Sequence, residues 1–573
     1  MLVNIEVNDR VIKARKGETI MAALGSNGIK IPSLCAMKDF TPTGACRMCV
    51  VEVEGRTGLV PSCSQPVAEW MKIKTHSPRV IKSRKTIVEL LLSNHPDDCL
   101  YCERNGNCEL QTLAEELNVR ERRIMGKKNK YKLDHSSPSI VRDPAKCILC
   151  GRCVRMCDEK LSVFAIDFVN RGNRTIIGTA CNKDLNFSSC INCGQCIMVC
   201  PTGALLEKDS LPELEDALHN EQKTVIVQYD SSVSTALGEA FGMKPGKDAG
   251  HLINGALRKI GFDKVFDTSF AADLHTIELS RELAQRKNKK EASPLIASSC
   301  PAWIKFAEQS YPDLLPLLSS CKSPQQMLGA ILKSLYPETA GSEAGSIFSV
   351  AIASCTARKF EAQREEMTRK GLSDIDVVLT TRELVKLIKL YGVDMSQVEP
   401  GEADEPYGTG SSSGKLYGAA GGMTEALIRT LPFTIEAKEP AVPRISEMRT
   451  SRDKKESELR IGKKTFRFAA VSGLNTAVQL MEDIRAGNCN YDFVEVMVCP
   501  GGCVNGGGQP IGKDENAPRA RAKALYGMDD KDIIRYPFRN PGVKQFYGEF
   551  PGELPGGCGG LVHAIYSERK VLL

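Results

Sequence analysis

The chain has 573 residues, of which 42% are hydrophobic and 25% are charged, a composition typical of a soluble globular protein with several domains. The formal net charge of +6 is small for this length and its basic residues are scattered, which argues against a nucleic-acid partner. No apolar run reaches the ~18 residues of a membrane span and no secretory signal is apparent, so we expect a cytoplasmic protein without membrane contact. In such a protein, 23 cysteines point to metal sites rather than disulfides.

Residues 1–80 are predicted to form a small β-grasp domain, because alternating apolar residues indicate a hairpin and a short helical segment follows it. One cysteine lies well before a C-x2-C pair and another lies well after it. This spacing resembles plant-type ferredoxins more than the paired motifs of a zinc ribbon. We therefore predict a 2Fe-2S cluster, with zinc as the alternative, on Cys35, Cys46, Cys49 and Cys63.

Residues 81–125 carry one histidine followed by three cysteines, directly after a predicted helix. A lone histidine is usually structural, but three nearby thiols favour a four-ligand site. Thiolate-rich sites select zinc or iron–sulfur clusters, and spacing alone leaves both open. The candidate ligands are His95, Cys99, Cys102 and Cys108.

Residues 126–208 contain the run C-x2-C-x2-C-x3-C twice, and Pro201 follows the second copy. This is the run of bacterial two-cluster ferredoxins, in which the fourth cysteine of each run binds the other cluster. Three cysteines at C-x2-C spacing suit zinc poorly. We assign one 4Fe-4S cluster to Cys147, Cys150, Cys153 and Cys200, and the other to Cys157, Cys190, Cys193 and Cys196.

Residues 209–524 change character to strands alternating with helices, which predicts an α/β domain with a parallel sheet. Predicted strands precede Cys300, Cys355 and the pair Cys499 and Cys503. Open α/β sheets bind ligands beyond the carboxyl ends of their strands. Four thiolates from three strand ends are therefore expected at one place, where they suit a further 4Fe-4S cluster.

Three cysteine segments of the α/β domain, 298–303, 353–361 and 497–503, resemble those of the iron-iron (FeFe) hydrogenases. The resemblance extends to the long bacterial type with accessory Fe–S domains. It implies an H-cluster, in which a 4Fe-4S unit on Cys300, Cys355, Cys499 and Cys503 joins, through Cys503, a two-iron unit with CO, cyanide and azadithiolate.

This resemblance also implies an activity and partners. The activity is reversible reduction of protons to H2, with ferredoxin or a similar low-potential carrier as the electron partner and maturation proteins that insert the two-iron unit. The site at His95 resembles a 4Fe-4S site shared with a large subunit of respiratory complex I, and that resemblance favours 4Fe-4S over zinc there. It likens residues 525–573 to a segment that other members carry as a small subunit.

The proton relay departs from the family pattern. Ser299 stands where the family has a relay cysteine, and a hydroxyl ionises far less readily than a thiol of pKa ~8.5. Leu279 replaces a relay glutamate, and Arg358 replaces a lysine that hydrogen-bonds a cyanide. Residues that match later relay members or line the family pocket are Glu282, Arg286, Ser319, Met497, Ser232 and Gln325.

We therefore expect a divergent subgroup in which the cluster assembles but proton delivery is slower or rerouted, through water near Ser299, Glu278 or Cys321. Replacing Ser299 by Cys and Leu279 by Glu is then expected to raise H2 turnover. The alternatives are an H2-sensing hydrogenase of low turnover and a hydrogenase-like Fe–S assembly protein that evolves no H2. An electron-transfer subunit of the complex I type would explain only the first two hundred residues.

Overall fold

The computed structural model describes residues 1–121, 123–128, 130–289, 294–334, 344–440, 444–512, 514–549 and 559–571. Within these ranges, no helix combines the length and apolar character that crossing a membrane requires. The strands are β1 (Leu2–Val7), β2 (Arg10–Arg15), β3 (Val50–Val53), β4 (Val60–Pro61), β5 (Lys72–Lys74), β6 (Ile140–Arg142), β7 (Asp167–Val169), β8 (Ile176–Gly178), β9 (Leu205–Glu207), β10 (Thr224–Tyr229), β11 (Lys264–Asp267), β12 (Leu295–Ile296), β13 (Ile347–Ala353), β14 (Thr368–Arg369), β15 (Leu372–Ser373), β16 (Val377–Thr380), β17 (Lys454–Ile461), β18 (Lys464–Ser472) and β19 (Phe493–Met497). The α-helices are α1 (Ile20–Ser26), α2 (Pro78–Asn94), α3 (Glu109–Glu116), α4 (Arg152–Arg155), α5 (Gln195–Val199), α6 (Leu211–Leu218), α7 (Ser231–Leu237), α8 (Gly250–Ile260), α9 (Ser269–Lys289), α10 (Pro301–Ser310), α11 (Pro324–Ser334), α12 (Ala357–Ala362), α13 (Thr381–Leu390), α14 (Ser412–Lys415), α15 (Gly422–Glu436), α16 (Leu474–Arg485), α17 (Ala517–Lys531), α18 (Pro541–Glu549) and α19 (Gly559–Val562).

The N-terminal segment folds as the mixed sheet expected of a β-grasp domain. Its strand order is β2-β1-β5-β3-β4, with β1 antiparallel to β2 and parallel to β5. Val3, Ile5 and Val7 of β1 point inward, because alternate residues of a strand face one side. They pack against Ile20 and Leu24 of α1. This core holds the sheet and helix together and leaves the cysteine loop at its margin.

The two ferredoxin-type cysteine runs are built alike. Each run places a glycine, Gly151 or Gly194, in the left-handed region with φ of 71° or 72°, directly before α4 or α5. A side chain would be strained at that φ, whereas glycine adopts it freely. Two antiparallel strand pairs, β6 with β9 and β7 with β8, close the segment. The sequence repeat is therefore also a structural repeat.

The large domain contains two four-stranded sheets, which refines the prediction of a parallel sheet. One sheet has the order β11-β10-β13-β16 with every pair parallel. The other has the order β12-β19-β18-β17, in which only the pair of β17 and β18 is antiparallel. Because β13, β16 and β19 are buried along their whole length, they consist mainly of apolar residues, and the one charged residue among them is the buried Glu495 of β19.

The ferredoxin-like segment and the second sheet share one apolar core. Ile191 and Ile197 from the second cysteine run belong to the same buried cluster as Trp303 and Val496. An ion pair spans the same boundary, because both oxygens of the Glu207 carboxylate accept hydrogen bonds from Arg382 of α13. The two regions are thus packed together as a continuous body.

Candidate functional site

Strand ends from both sheets surround one buried cavity of about 80 Å³. Cys355 follows β13 of the first sheet, whereas Cys300 follows β12 and Cys499 follows β19 of the second. Cys503 enters the same cavity through a glycine turn after β19. The structure therefore brings together four cysteines that are far apart in the sequence. The volume exceeds what a single buried water needs several-fold.

Glycines allow the loop after β19 to wrap closely around the cavity. Gly502 has a φ of 101°, and a Cβ there would lie 2.5 Å from the backbone nitrogen of Ala420. A Cβ at Gly506 would overlap the carbonyl oxygen of Ser354. Any larger residue would push the loop away from its neighbours, so the glycine-rich sequence fixes where Cys503 lies.

The four thiols lack a compensating positive charge of sufficient size. Burial and the neighbouring Cys300 raise the pKa of the Cys355 thiol to about 12. Burial and the surrounding thiols likewise raise the pKa values of Cys499 and Cys503 well above the usual range. In this environment a thiolate needs a bound cation, which is the role of a metal cluster. The donor set fits an iron–sulfur centre.

The cavity wall also offers polar groups toward its interior. Gln325 lines the cavity, and its Nε2 is buried with no hydrogen-bond partner among the described residues. Arg358 donates from Nη1 to Glu361 Oε2 at 2.7 Å. Burial opposes the positive charge of Arg358, but Glu361 more than compensates and raises the pKa of the guanidinium. A group with acceptor atoms in the cavity would satisfy these donors.

The other residues that were predicted at the pocket also lie at this cavity. Ser232, Ser299 and Met497 are among its lining residues. Ser232 follows β10, where Asp230 accepts hydrogen bonds from the backbone amides of Ser232 and Val233 and starts α7. Asp230 lines the cavity as well, and the sequence analysis missed it. Its position directly after a buried strand was the available signal.

The predicted relay residues away from the cavity form a connected group. Ser319 Oγ donates to Glu282 Oε2 at 2.6 Å, and Arg286 Nη2 donates to Glu282 Oε1 at 3.0 Å. The sulfur of Cys321 lies 4.0 Å from Glu282 Oε2. Leu279, one turn earlier on α9, is fully buried in an apolar cluster. An aliphatic side chain therefore occupies the position at which the sequence comparison places a relay glutamate.

Each ferredoxin-type set of four cysteines surrounds a void of its own, of about 30 Å³. The fourth cysteine of each run lies with the first three of the other run. One void is lined by Cys147, Cys150, Cys153 and Cys200, and the other by Cys157, Cys190, Cys193 and Cys196. Among the described residues, no group of three or more His, Cys, Asp or Glu side chains converges closely enough to hold a single metal ion.

The cysteines of the β-grasp segment also lie together. Cys35 interacts with the thiols of Cys46 and Cys63, and Cys49 interacts with Cys63. The set predicted at residues 95–108 is less compact.

In that next set, Cys102 and Cys108 interact electrostatically, and His95 is buried at the end of α2. Burial lowers the pKa of His95 and so favours the neutral imidazole that binds metal. Cys99 is exposed at the start of a short turn.

Two side chains that the sequence analysis missed connect the cysteine sets. Arg152 lies between Cys46 and Cys150, and its guanidinium pairs with Glu109 at 2.6 Å, directly after Cys108. Gln195, inside the second run, donates from Nε2 to the sulfur of Cys499 at 3.1 Å. Both residues follow the glycine of a C-x2-C-G motif, which was the signal available in the sequence.

Family comparisons cover most of the chain. The matching families are the 2Fe-2S iron-sulfur cluster binding domain at residues 1–78, the NADH-ubiquinone oxidoreductase-G iron-sulfur binding region at 84–123, the 4Fe-4S dicluster domain at 146–204, and the iron only hydrogenase large subunit, C-terminal domain, at 223–507.

Individual relatives match along different shares of the chain. The NADP-reducing hydrogenase subunit HndD of Solidesulfovibrio fructosivorans is 38% identical over 100% of both chains, and Iron hydrogenase 1 of Clostridium pasteurianum is 36% identical over 96% of this chain and 97% of its own. An apo FeFe-hydrogenase HydA1 structure from Chlamydomonas reinhardtii superposes with a TM-score of 0.56 at 33% identity, covering 62% of this chain and 99% of that one. Protein NAR1 of Arabidopsis thaliana is 31% identical over 62% of this chain and 81% of its own.

Proposed function

The chain belongs to the iron-only (FeFe) hydrogenase family, and from this premise we propose that it catalyses the reversible reduction of protons to H2 with electrons from ferredoxin. The single observation that carries the proposal is the buried cavity lined by four cysteines and by polar groups without partners. An H-cluster bound there supplies the iron centre at which protons and electrons combine. Its ligands would be Cys300, Cys355, Cys499 and Cys503.

The other residues of the wall have distinct roles in this proposal. Arg358 supplies a fixed positive charge and hydrogen-bond donors, and Gln325 supplies a neutral donor to the same interior. Met497 adds an apolar surface that excludes water, and Ser232 adds a hydroxyl. Ser299 lies where a proton donor is needed, but its hydroxyl holds its proton more tightly than a thiol would.

Proton delivery in this protein is proposed to differ from that of its family. The group of Glu282, Ser319 and Arg286 can carry protons in the outer part of the protein, since each contact within it is a hydrogen bond. Leu279 cannot accept a proton, so the step between this group and Ser299 is interrupted.

Electrons are proposed to reach the cavity through one 2Fe-2S and three accessory 4Fe-4S clusters. The ferredoxin-type cysteines make the last step short, because Gln195 contacts Cys499 and a Cβ at Gly507 would overlap the Cys193 carbonyl. Ferredoxin is the proposed donor, in a cytoplasmic protein matured by dedicated assembly proteins. The name of HndD favours an alternative, in which a partner subunit exchanges electrons with NADP.

A second candidate function is Fe–S cluster assembly without H2 chemistry. It is favoured by the similarity to Protein NAR1 and to the mouse Cytosolic iron-sulfur assembly component 3, which is 30% identical over 61% of this chain. A third candidate function is H2 sensing at low turnover. It is favoured by Ser299 and Leu279, which stand in place of two proton-relay residues. Both alternatives use the same fold, so only the content and behaviour of the cavity separate them.

Infrared spectroscopy of protein matured with the two-iron unit tests these functions. CO and cyanide stretching bands that shift under H2 are expected, because the proposed cofactor carries these ligands. Bands together with a high rate of H2 evolution would support the enzyme, and bands with a very low rate would support the sensor. Absence of bands, in protein whose cubane clusters are present by electron paramagnetic resonance, would support the assembly function and overturn the proposal.

A further inference from the structure

A tyrosine and a buried histidine form a polar pair in the cavity wall. Tyr417 lines the cavity, and its phenol oxygen lies 2.8 Å from His275 Nδ1 and 2.9 Å from Thr276 Oγ1. His275 is fully buried on α9, and its Nε2 has no hydrogen-bond partner among the described residues. Leaving a buried nitrogen without a hydrogen bond is unfavourable, so its presence calls for a function or a bound water.

The hydrogen bonds fix which nitrogen carries the proton. Thr276 Oγ1 donates to the Ala272 carbonyl at 2.8 Å, so it accepts from the Tyr417 hydroxyl. The phenol oxygen then accepts from His275 Nδ1–H, and Nε2 is a bare acceptor. Burial lowers the pKa of His275 to about 3, helped by His563 and Arg358, so the ring is neutral near pH 7.

A carboxylate on the same helix and a second, partly exposed histidine lie near this pair. Glu278 is three residues after His275, on the same face of α9. His563 Nε2 lies 3.7 Å from Glu278 Oε2, and its Nδ1 lies 3.0 Å from Ser320 Oγ. The His563 side chain is 26% exposed, and Arg281, which pairs with Glu278, is 40% exposed. His563 also interacts electrostatically with His275.

Glu278 provides a charged hydrogen-bond acceptor at the outer end. Burial disfavours its charge, but the nearby His563, a hydrogen bond from Tyr547 and the charge of Arg281 hold the pKa of Glu278 below its usual range. The carboxylate is therefore ionised near neutral pH and accepts hydrogen bonds. The titratable groups that face Tyr417 at the inner end are Glu495, Asp273 and Cys321.

We propose that protons reach the cavity through Glu278 and His563, then His275, then Tyr417, and bypass the interrupted step at Leu279. For each proton transferred, a water bound at His275 Nε2 takes a proton from Glu278 or His563 and gives it to Nε2. The Tyr417 hydroxyl turns from Thr276 Oγ1 toward the cavity and gives its proton to an acceptor there, as the Nδ1 proton moves to the phenol oxygen. Every bond that breaks is matched by one that forms. A turn of the imidazole ring, which brings the newly protonated nitrogen to the phenol oxygen, restores the starting arrangement for the next proton. The inference deepens the proposed function and rests on it.

The decisive variant is Tyr417→Phe, because it removes the hydroxyl and keeps the ring that packs in the wall. In matured protein, the CO and cyanide bands are followed after a rapid pH jump, together with H2 evolution. We expect the band response and the turnover to slow at least about tenfold, since general acid–base groups typically contribute 10²–10⁴-fold. The final band positions are expected to match those of the unaltered protein. Glu278→Gln is expected to slow the response similarly, and Glu278→Asp to restore part of it.

Tyr311→Phe is the matched control, because it removes a phenol hydroxyl that donates to Glu482 at 2.9 Å and does not line the cavity. An unchanged response in Tyr417→Phe would overturn the inference, and so would equal slowing in both tyrosine variants. Shifted final bands with an unchanged rate would assign Tyr417 a structural role and also overturn it. Absence of bands in unaltered protein would overturn the proposed function itself, and this inference with it.

Discussion

The cluster-bearing N-terminal third and the α/β domain build cysteine sites in opposite ways. In residues 1–208, the cysteines of each set come from short loops of one segment, and a local glycine such as Gly151 or Gly194 fixes each turn. In the α/β domain, Cys300, Cys355 and Cys499 come from the ends of three strands in two sheets. A site whose cysteines come from one segment is expected to persist when another part of the protein is altered. A site whose cysteines come from several strand ends depends on the packing of the whole domain. The predictions below test this contrast.

The largest expected effect is a loss confined to the convergent site. Cys499→Ser removes one of four thiols around the cavity, and we expect no CO or cyanide bands after maturation. The accessory cluster signals in electron paramagnetic resonance should remain, because their cysteines lie in separate loops. Cys489→Ser, at a partly buried thiol outside every set, is the control and should keep its bands. Loss of all cluster signals in Cys499→Ser would contradict the independence of the cysteine sites in the two regions.

The second-largest expected effect is a loss of stability at the boundary between the ferredoxin-like segment and the α/β domain. Arg382→Met removes the partner of Glu207 and leaves a nearly buried carboxylate without its cation. Breaking such a pair typically costs ~3–5 kcal/mol, so the midpoint of thermal unfolding should fall clearly. Arg382 also donates to the carbonyls of Gly507 and Gln509, so electron transfer to the cavity should slow as well.

Arg467→Met is the matched control for this boundary, because Arg467 pairs with Glu458 at the surface. Its expected change lies within ~1 kcal/mol, which is typical of exposed pairs. Equal destabilisation by the two variants would contradict a special role for the Glu207–Arg382 pair.

A smaller effect is expected on acidification. Burial raises the pKa of Glu207, but Arg382 outweighs burial and lowers it to about 2, against ~4.3 in an unfolded chain. The folded-state pKa is depressed, so the pair stabilises the protein fully above pH ~4.3 and loses this contribution as the pH falls toward 2. The amount is roughly 3 kcal/mol by linkage. Unfolding measured from pH 6 to 3 should depend less on pH in Glu207→Gln than in the unaltered protein, and identical slopes would contradict this.

The smallest expected effect is a gain in H2 turnover when the interrupted proton relay is restored. Ser299→Cys places a more readily ionised thiol at the cavity, and we expect H2 turnover to rise a few-fold. Adding Leu279→Glu should raise turnover further but lower the unfolding midpoint, because Leu279 is buried among apolar side chains. Ser299→Ala with the same Leu279→Glu change is the control, since it has no thiol. No gain in the double variant would contradict the account of a broken relay.

Much of the α/β domain was predictable because most of its buried strands consist mainly of apolar residues. The strands predicted before Cys355 and before Cys499 are β13 and β19, and both are buried along their whole length. The strand β17 was not expected, because Lys454–Ile461 alternates charged and apolar residues at the edge of its sheet. The two-sheet arrangement was not predictable either, since strand order depends on contacts between distant segments.

By itself the sequence determined the cysteine sets of the N-terminal third, because their spacing fixes which thiols a short loop can present together. It also determined that four more cysteines follow buried strands. Only the tertiary structure decided that Tyr417 meets His275 and that Gln195 reaches Cys499, since these contacts join segments that no local pattern relates. The physical reason is that local geometry is set by neighbouring residues along the chain, whereas a cavity is set by how sheets and helices pack around it.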